Sequence, residues 1–290
     1  KNGLEEARSY LSRVGADLSA HFKRLGARAI VLDANDRLKI LHDFYRCGEE
    51  MAFSWDMRDA ARKGHSFKDF ICPDSFEFEK DHFRMGDRFG RVVFLRDYGN
   101  FVEDKVVSAL CDFNQNMMMS IDIVPIPTAE GVREAEKRVL GVETNITNWQ
   151  RRQNQNNNFS AVIPYDMELQ RKESKEFLDD MLTRDQRMMS GVITILLTAD
   201  SMEQLESDTE ALFAIARENR CQLAVLKYQQ MDGLNTVLPI GACQLFALRT
   251  LTTESLAVFM PLPVQEFSAL GGRLFASLDI TRTSLFWHTQ

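Results

Sequence analysis

The residues of this chain that could do chemistry are five histidines, five cysteines and a few adjacent carboxylates. His21, His42, His65, His82 and His288 are scattered, and none has a partner at relay or ligand spacing. His65, Cys72 and His82 come nearest to a metal set, yet they lack the short pairwise spacing from which a zinc site is built. Cys47, Cys72, Cys111, Cys221 and Cys243 are odd in number and form no C-x-x-C pair, which points to reduced thiols in a cytosolic protein. Asp179-Asp180 and Glu5-Glu6 fall in helical patterns, where sequential neighbours point apart and face water rather than each other. No phosphate-cradling G-x-x-x-x-G-K-[ST] occurs, and no G-x-G-x-x-G, H-E-x-x-H or G-x-S-x-G. The expectation is a non-catalytic chain with no catalytic, cofactor-binding or metal-binding residue; an enzyme assembled from unmarked residues is the least favoured alternative.

Binding chemistry is better represented. Gln150–Asn158 reads QRRQNQNNN, a polar stretch that cannot pack as a core and that offers Arg151 and Arg152 as a dibasic pair. Trp149, Arg151, Arg152, Asn156 and Asn157 are the candidate partner-binding residues. Phe53, Trp55, Phe67, Phe70, Phe76, Phe78, Phe83 and Phe89 crowd the stretch from Cys47 to Gly90. Such aromatics can stack bases, but under an irregular excursion they read more simply as satellite core. A net charge of −7 argues against a broad nucleic-acid footprint.

The elements that must position these residues are legible from periodicity. Val132, Ala135, Val139, Val142, Ile146 and Trp149 are spaced 3, 4, 3, 4 and 3, a heptad seam. Pro164 and Asp166 start a second long helix expected to run through Met189, with Phe177, Met181, Leu182 and Met188 facing the first seam. Glu134–Arg138 and Glu168–Lys172 are expected surface pairs. Together they predict an antiparallel helical hairpin over residues 128–189 with an Asn/Gln-rich tip.

Within Gly191–Leu226, Val192–Leu197 is an apolar strand and Ser201 with Gln204 a capping box. Leu205, Thr209, Leu212, Phe213 and Ala216 form one helical stripe, and Cys221–Leu226 returns as a strand. Such strand–helix–strand crossovers are nearly always right-handed. Upstream, a helix over Leu4–Leu25 leads to a strand over Ala27–Leu32 and a helix after Asp33, followed by the aromatic excursion. Arg91–Leu95, Phe101–Phe113 and Met117–Val124 then read as strand, helix and strand. The Met117-Met118-Met119 triplet reads as plastic core. Further on come a short helix around Asp232–Val237, a strand through Ser255–Met260 and a tail hairpin.

The fold class is therefore α+β: a ferredoxin-like split βαβ module lacking its first strand, and a second βαβ-containing module, joined by the hairpin. The expected divisions are residues 1–127, with the aromatic-rich insertion at 47–90, then the arm at 128–189, a second module at 190–263 and the start of a further domain at 264–290.

FKRLGARAIVLDANDRLKILHDFYR (Phe22–Arg46), NNNFSAVIPYDMELQRKE (Asn156–Glu173), YQQMDGLNTVLPIG (Tyr228–Gly241) and LRTLTTESLAVFMPLPVQE (Leu248–Glu266) carry a resemblance. Together they resemble the region preceding the P-loop in the VirB-type conjugative-transfer ATPase of type IV secretion systems. The nearest variant is the one found on plasmids and integrative elements of Gram-positive bacteria. Relatives carry Gly-Gly, then an aromatic-rich strand, a Gly and an Asn; here Gly271-Gly272 is present, but Ser277 and Asp279 stand at the later two positions. The resemblance implies a docking and assembly region that couples a hexameric ATPase to inner-membrane channel proteins and to coupling or sister ATPases. ATP and Mg would belong to the domain that follows, and further sequence would precede the point equivalent to Lys1. The implied location is the cytoplasm, peripheral at the inner face of the plasma membrane. A module contacting single-stranded DNA through Arg151, Arg152 and the polar tip is the alternative.

Overall fold

The computed structural model describes residues 2–24, 30–98, 105–111, 113, 115–246, 248–259, 273–278 and 283–288, the last two stretches as backbone. The chain forms two compact units, one of residues 1–77 with 84–87 and one of residues 78–83 with 88–290. The architecture is α+β.

The first unit is helical: α1 (Asn2–Arg24), α2 (Ala34–Tyr45), a 3-10 turn at Glu50–Ala52, α3 (Met57–Lys63) and α4 (Lys68–Ile71). The Asp33 carboxylate accepts from the Asp36 amide at 2.8 Å and Asp36 accepts from the Asp33 amide at 3.2 Å, so α2 starts on a reciprocal cap. His42 is buried with its ring 5.0 Å from Phe53, a core histidine. The strand expected over Ala27–Leu32 is not seen: Ile30–Leu32 is irregular, Ile30 and Val31 are exposed, and residues 25–29 lie outside the described ones. β-branched residues favour a strand only where a neighbouring strand or a packed face receives them.

After two short strands, β1 (Phe76–Phe78) and β2 (Phe83–Met85), the second unit builds its sheet. Its strands are β3 (Arg88–Tyr98), β4 (Met117–Pro125), β5 (Met188–Ala199), β6 (Cys221–Val225), β7 (Arg249–Thr252), β8 (Arg273–Leu278) and β9 (Thr283–His288). The helices are α5 (Lys105–Cys111), α6 (Thr128–Gln155), α7 (Tyr165–Thr183), α8 (Met202–Glu218), α9 (Gln230–Val237) and α10 (Thr253–Phe259). β5 is central: it pairs antiparallel with β3 over Phe89–Phe94 and with all of β4. β6 lies antiparallel along the other edge of β3, and β9 then β8 extend the sheet beyond β4. The crossover through α5 thus leaves β5 between β3 and β4, while the crossover through α8 leaves β3 between β5 and β6.

This pairing corrects the expected layout. β4 and β5, expected in separate modules, are adjacent over nine residue pairs. A long helical excursion looks like a domain boundary in a sequence even when the strands on either side of it are neighbours. The tail hairpin forms, but it joins the same sheet through β9. Of the strand expected over Ser255–Met260, Ser255–Phe259 lies in α10, preceded by the short strand β7, and Met260 lies outside the described residues; the Thr252 hydroxyl accepts from the Ser255 amide at 3.1 Å and so starts the helix. A short apolar run does not by itself separate a strand from a buried helix.

One sheet face packs Val93, Met119, Ile121, Ile193, Ile195 and Leu197 against Val106 and Leu110 of α5 and Leu205, Leu212 and Ala216 of α8. Against β3, α9 approaches so closely that a Cβ on Gly233 would lie 2.6 Å from Leu226 Cδ1 and 2.9 Å from Val92 Cγ1. That approach lets the buried Gln230 side chain act as a substitute strand. Its Oε1 accepts from the Val92 amide at 2.8 Å, and its Nε2 donates to the carbonyls of Val92 at 3.1 Å and Leu226 at 2.6 Å.

Candidate docking arm

The arm leaves the sheet at Pro125 and returns at Met188, and the Ile126 amide donates to the Met188 carbonyl at 3.1 Å, so its two ends are hydrogen-bonded neighbours. The arm is therefore an insertion into a β-hairpin connection, which elsewhere takes 2–5 residues. Pro127 and Pro164 precede its two helices, their rings fixing an extended approach from which each helix can start.

On α6 the seam residues Ala135 and Ile146 are buried, and Val132, Val139, Val142 and Trp149 are half-buried. The base of the arm is a small core of Ala135, Met181 and Met188, with Val132, Phe177 and Leu178 packed against it. A Cβ on Gly131 would lie 2.9 Å from Met181 Cε and 3.2 Å from Met188 Cβ, so the two sides of the arm close tightly there. Farther out, the Arg138 guanidinium lies 5.5 Å from the Phe177 ring centroid and Lys175 Nζ is 2.6 Å from Glu143 Oε1. Lys175 holds the Glu143 carboxyl below its usual range. Among the described elements, α6 packs chiefly on α7.

Three details differ from expectation. α7 ends at Thr183, and Met188 begins β5 while still reaching the base core. Leu182 is 61 % exposed, because one residue past the buried Met181 is about 100° round the helix. The surface pairs form at i,i+3, Lys137 with Glu134 at 3.6 Å and Arg171 with Glu168 at 2.6 Å.

The candidate residues gather at the tip, in distinct roles. Trp149 is half-buried at the outer end of the seam. Arg151 and Arg152 are exposed, and neither has an ion-pair partner among the described residues. Asn156 and Asn157 end the helix. Asn157 is left-handed at φ 57°, its amide donates to the Asn154 carbonyl at 3.1 Å, and the Asn158 amide donates to Gln153 at 2.9 Å. These are the two bonds of a Schellman stop, which requires a left-handed residue at the position Asn157 holds. Asn158 Nδ2 also donates to Gln153 Oε1 at 3.2 Å. The asparagine run is thus at least partly a helix terminator.

Residue-by-residue polarity missed the segment just past this stop. Phe159, Val162 and Tyr165 are 76 %, 87 % and 79 % exposed, three large apolar side chains between the Asn157 stop and the first residue of α7, close in sequence to the two arginines. The signal was present in the stretch FSAVIPY, an apolar run with neither strand nor helix period. Away from the arm, Arg91 is buried and bidentate to Glu206 at 2.8 and 3.0 Å, and it donates also to Thr209 Oγ1 at 3.2 Å and the Asp81 carbonyl at 3.1 Å. This clamp ties β3 to α8.

The chain matches no known protein-family model and no curated protein. Among the described residues no three His, Cys, Asp or Glu side chains converge as metal ligands, and no helix is long and apolar enough to cross a membrane. At the outer end of the helical hairpin, two guanidinium groups without an ion-pair partner among the described residues stand close in sequence to three exposed apolar side chains.

Proposed function

We propose that this chain is the non-catalytic docking and assembly region of a VirB-type conjugative-transfer ATPase, with the helical arm as its docking element. The observation that carries the docking role is the insertion itself. A helical hairpin stands where two adjacent strands need only a tight turn, and its farthest residues are exposed. At about 1.5 Å per residue, the 28 residues of α6 reach roughly 40 Å, far more than joining β4 to β5 requires. The family assignment rests on the four resembling stretches, one of which, Asn156–Glu173, begins at the arm's tip and runs into α7. The strand order β6-β3-β5-β4, with two split crossovers, supports a ferredoxin-like arrangement built from β3, α5, β4, β5, α8 and β6, with the arm in its middle connection.

On this reading the arm meets inner-membrane channel proteins, and coupling or sister ATPases meet the assembled hexamer. ATP and Mg are bound by a following domain, and the protein sits at the inner face of the plasma membrane through the secretion complex. Removing seven residues from each arm helix, with the turn kept, should leave the sheet folded. In the intact ATPase the same deletion should reduce conjugative transfer and co-purification of channel proteins. Wild-type transfer and recovery with the shortened arm would end the proposal. A salt-dependent titration with single-stranded DNA tests the alternative, because neutralising Arg151 and Arg152 would lower the salt slope only if they contact phosphates.

A further inference from the structure

We propose that the tip of the arm contacts an anionic lipid surface, with Phe159, Val162 and Tyr165 entering the headgroup region and Arg151 and Arg152 meeting lipid phosphates. The lipid contact follows from the arm's own residues, whatever larger apparatus the chain belongs to.

Three observations combine. Phe159, Val162 and Tyr165, all exposed, follow one another closely in the segment that leads into α7, and a free monomer rarely exposes several large hydrophobic side chains so close in sequence without a surface to receive them. The end of α6 is self-capped: the Asn157 and Asn158 amides are already bonded to helix carbonyls, so these backbone donors are satisfied before they leave bulk water. The charge close to the apolar residues in sequence is complementary to anionic headgroups. Arg151 and Arg152 are unpaired among the described residues, whereas Glu168 is held by Arg171 and Glu143 by Lys175. Asp166 is the exposed acid nearest the turn in sequence; it lies in the first turn of α7, where the helix dipole favours a carboxylate. Tyr165 and Trp149 flank the turn, and aromatics with a polar edge favour the depth of the headgroups. The chain as a whole is acidic, so the attraction is confined to the tip and should be modest.

The test is flotation of the 290-residue chain with vesicles of phosphatidylcholine alone or mixed with phosphatidylglycerol, in low salt and in about 0.5 M salt. Wild type should float with the mixed vesicles and weakly with the neutral ones. The triple variant Phe159→Ser, Val162→Ser, Tyr165→Ser should lose binding about tenfold or more, because each apolar side chain contributes by leaving water. Its thermal midpoint should barely move, since the replaced side chains are exposed. The double variant Arg151→Gln, Arg152→Gln should lose the preference for anionic vesicles and keep residual binding. Failure of wild type to float with either mixture, or equal flotation of the triple variant, overturns the proposal. If the triple variant lowers channel-protein recovery in cells while wild type ignores vesicles, the tip docks on protein; the lipid proposal then fails and the docking function stands.

Discussion

Asn157 holds a left-handed backbone because α6 must stop within one residue and hand the chain to the apolar turn. For a side chain with a Cβ that conformation costs about 1–2 kcal/mol, except where Asn or Gly occupies it. Asn157→Gly should therefore leave the thermal midpoint unchanged or raised, whereas Asn157→Ala should lower stability by about 1 kcal/mol; circular dichroism melting checks both. Gln230 carries a larger share. Gln230→Met keeps the volume but strips partners from the Val92 amide and the Leu226 carbonyl, and should cost about 2–6 kcal/mol at about 1–3 kcal/mol per orphaned group. Arg91 draws the Glu206 carboxyl below its ordinary value, chiefly by hydrogen bonding. With the folded value depressed, the stabilisation is fully present above the unfolded value of about 4.3 and is lost as pH falls through the folded one. Glu206→Gln should thus lower the midpoint near neutral pH and approach wild type in acid; an equal deficit at both pH values would contradict this. The tip arginines could be read from the sequence because an isolated charge pair in a polar tract has nowhere to be buried. Gln230 and Arg91 could not, since nothing local distinguishes a buried amide bonded to Val92 or a buried guanidinium bonded to Glu206, each more than a hundred residues away.

The elements with strong local periods were legible and the rest were not. The heptad seam of α6 and the stripe of α8 appear at the expected positions because one face of each helix packs against neighbouring elements, more fully for α8 than for α6. Ile146 is 3 % exposed, so Ile146→Ala should cost about 2–5 kcal/mol, while Leu140→Ala, on the exposed side of the same helix, should cost little. Equal losses at the two positions would show that the seam does not face α7. Elements whose state depends on a distant partner escaped. Ile30–Leu32 has strand composition without a strand in register, and Ser255–Phe259 takes the helix that its Thr252 cap starts.

At the scale of the molecule the sheet is organised by pairings between strands far apart in sequence. β4 and β5 meet only because the arm closes on itself, and such non-local register leaves no trace in periodicity. The chain therefore read as two modules where β3, β4, β5 and β6 share one sheet. The proposed division of labour, with docking here and nucleotide chemistry elsewhere, predicts that calorimetric titration of this chain with ATP and Mg gives no saturable heat; a micromolar site would contradict it. The claim that the arm is a docking element is tested most directly by a photo-crosslinking amino acid placed at Gln155 in the intact protein, within its transfer apparatus. Gln155 is exposed in the last turn of α6, at the tip. The account predicts crosslinks to another component of the membrane-bound apparatus or to its lipid. Crosslinks confined to the protein's own sheet and helices would show that the arm folds home and docks on nothing.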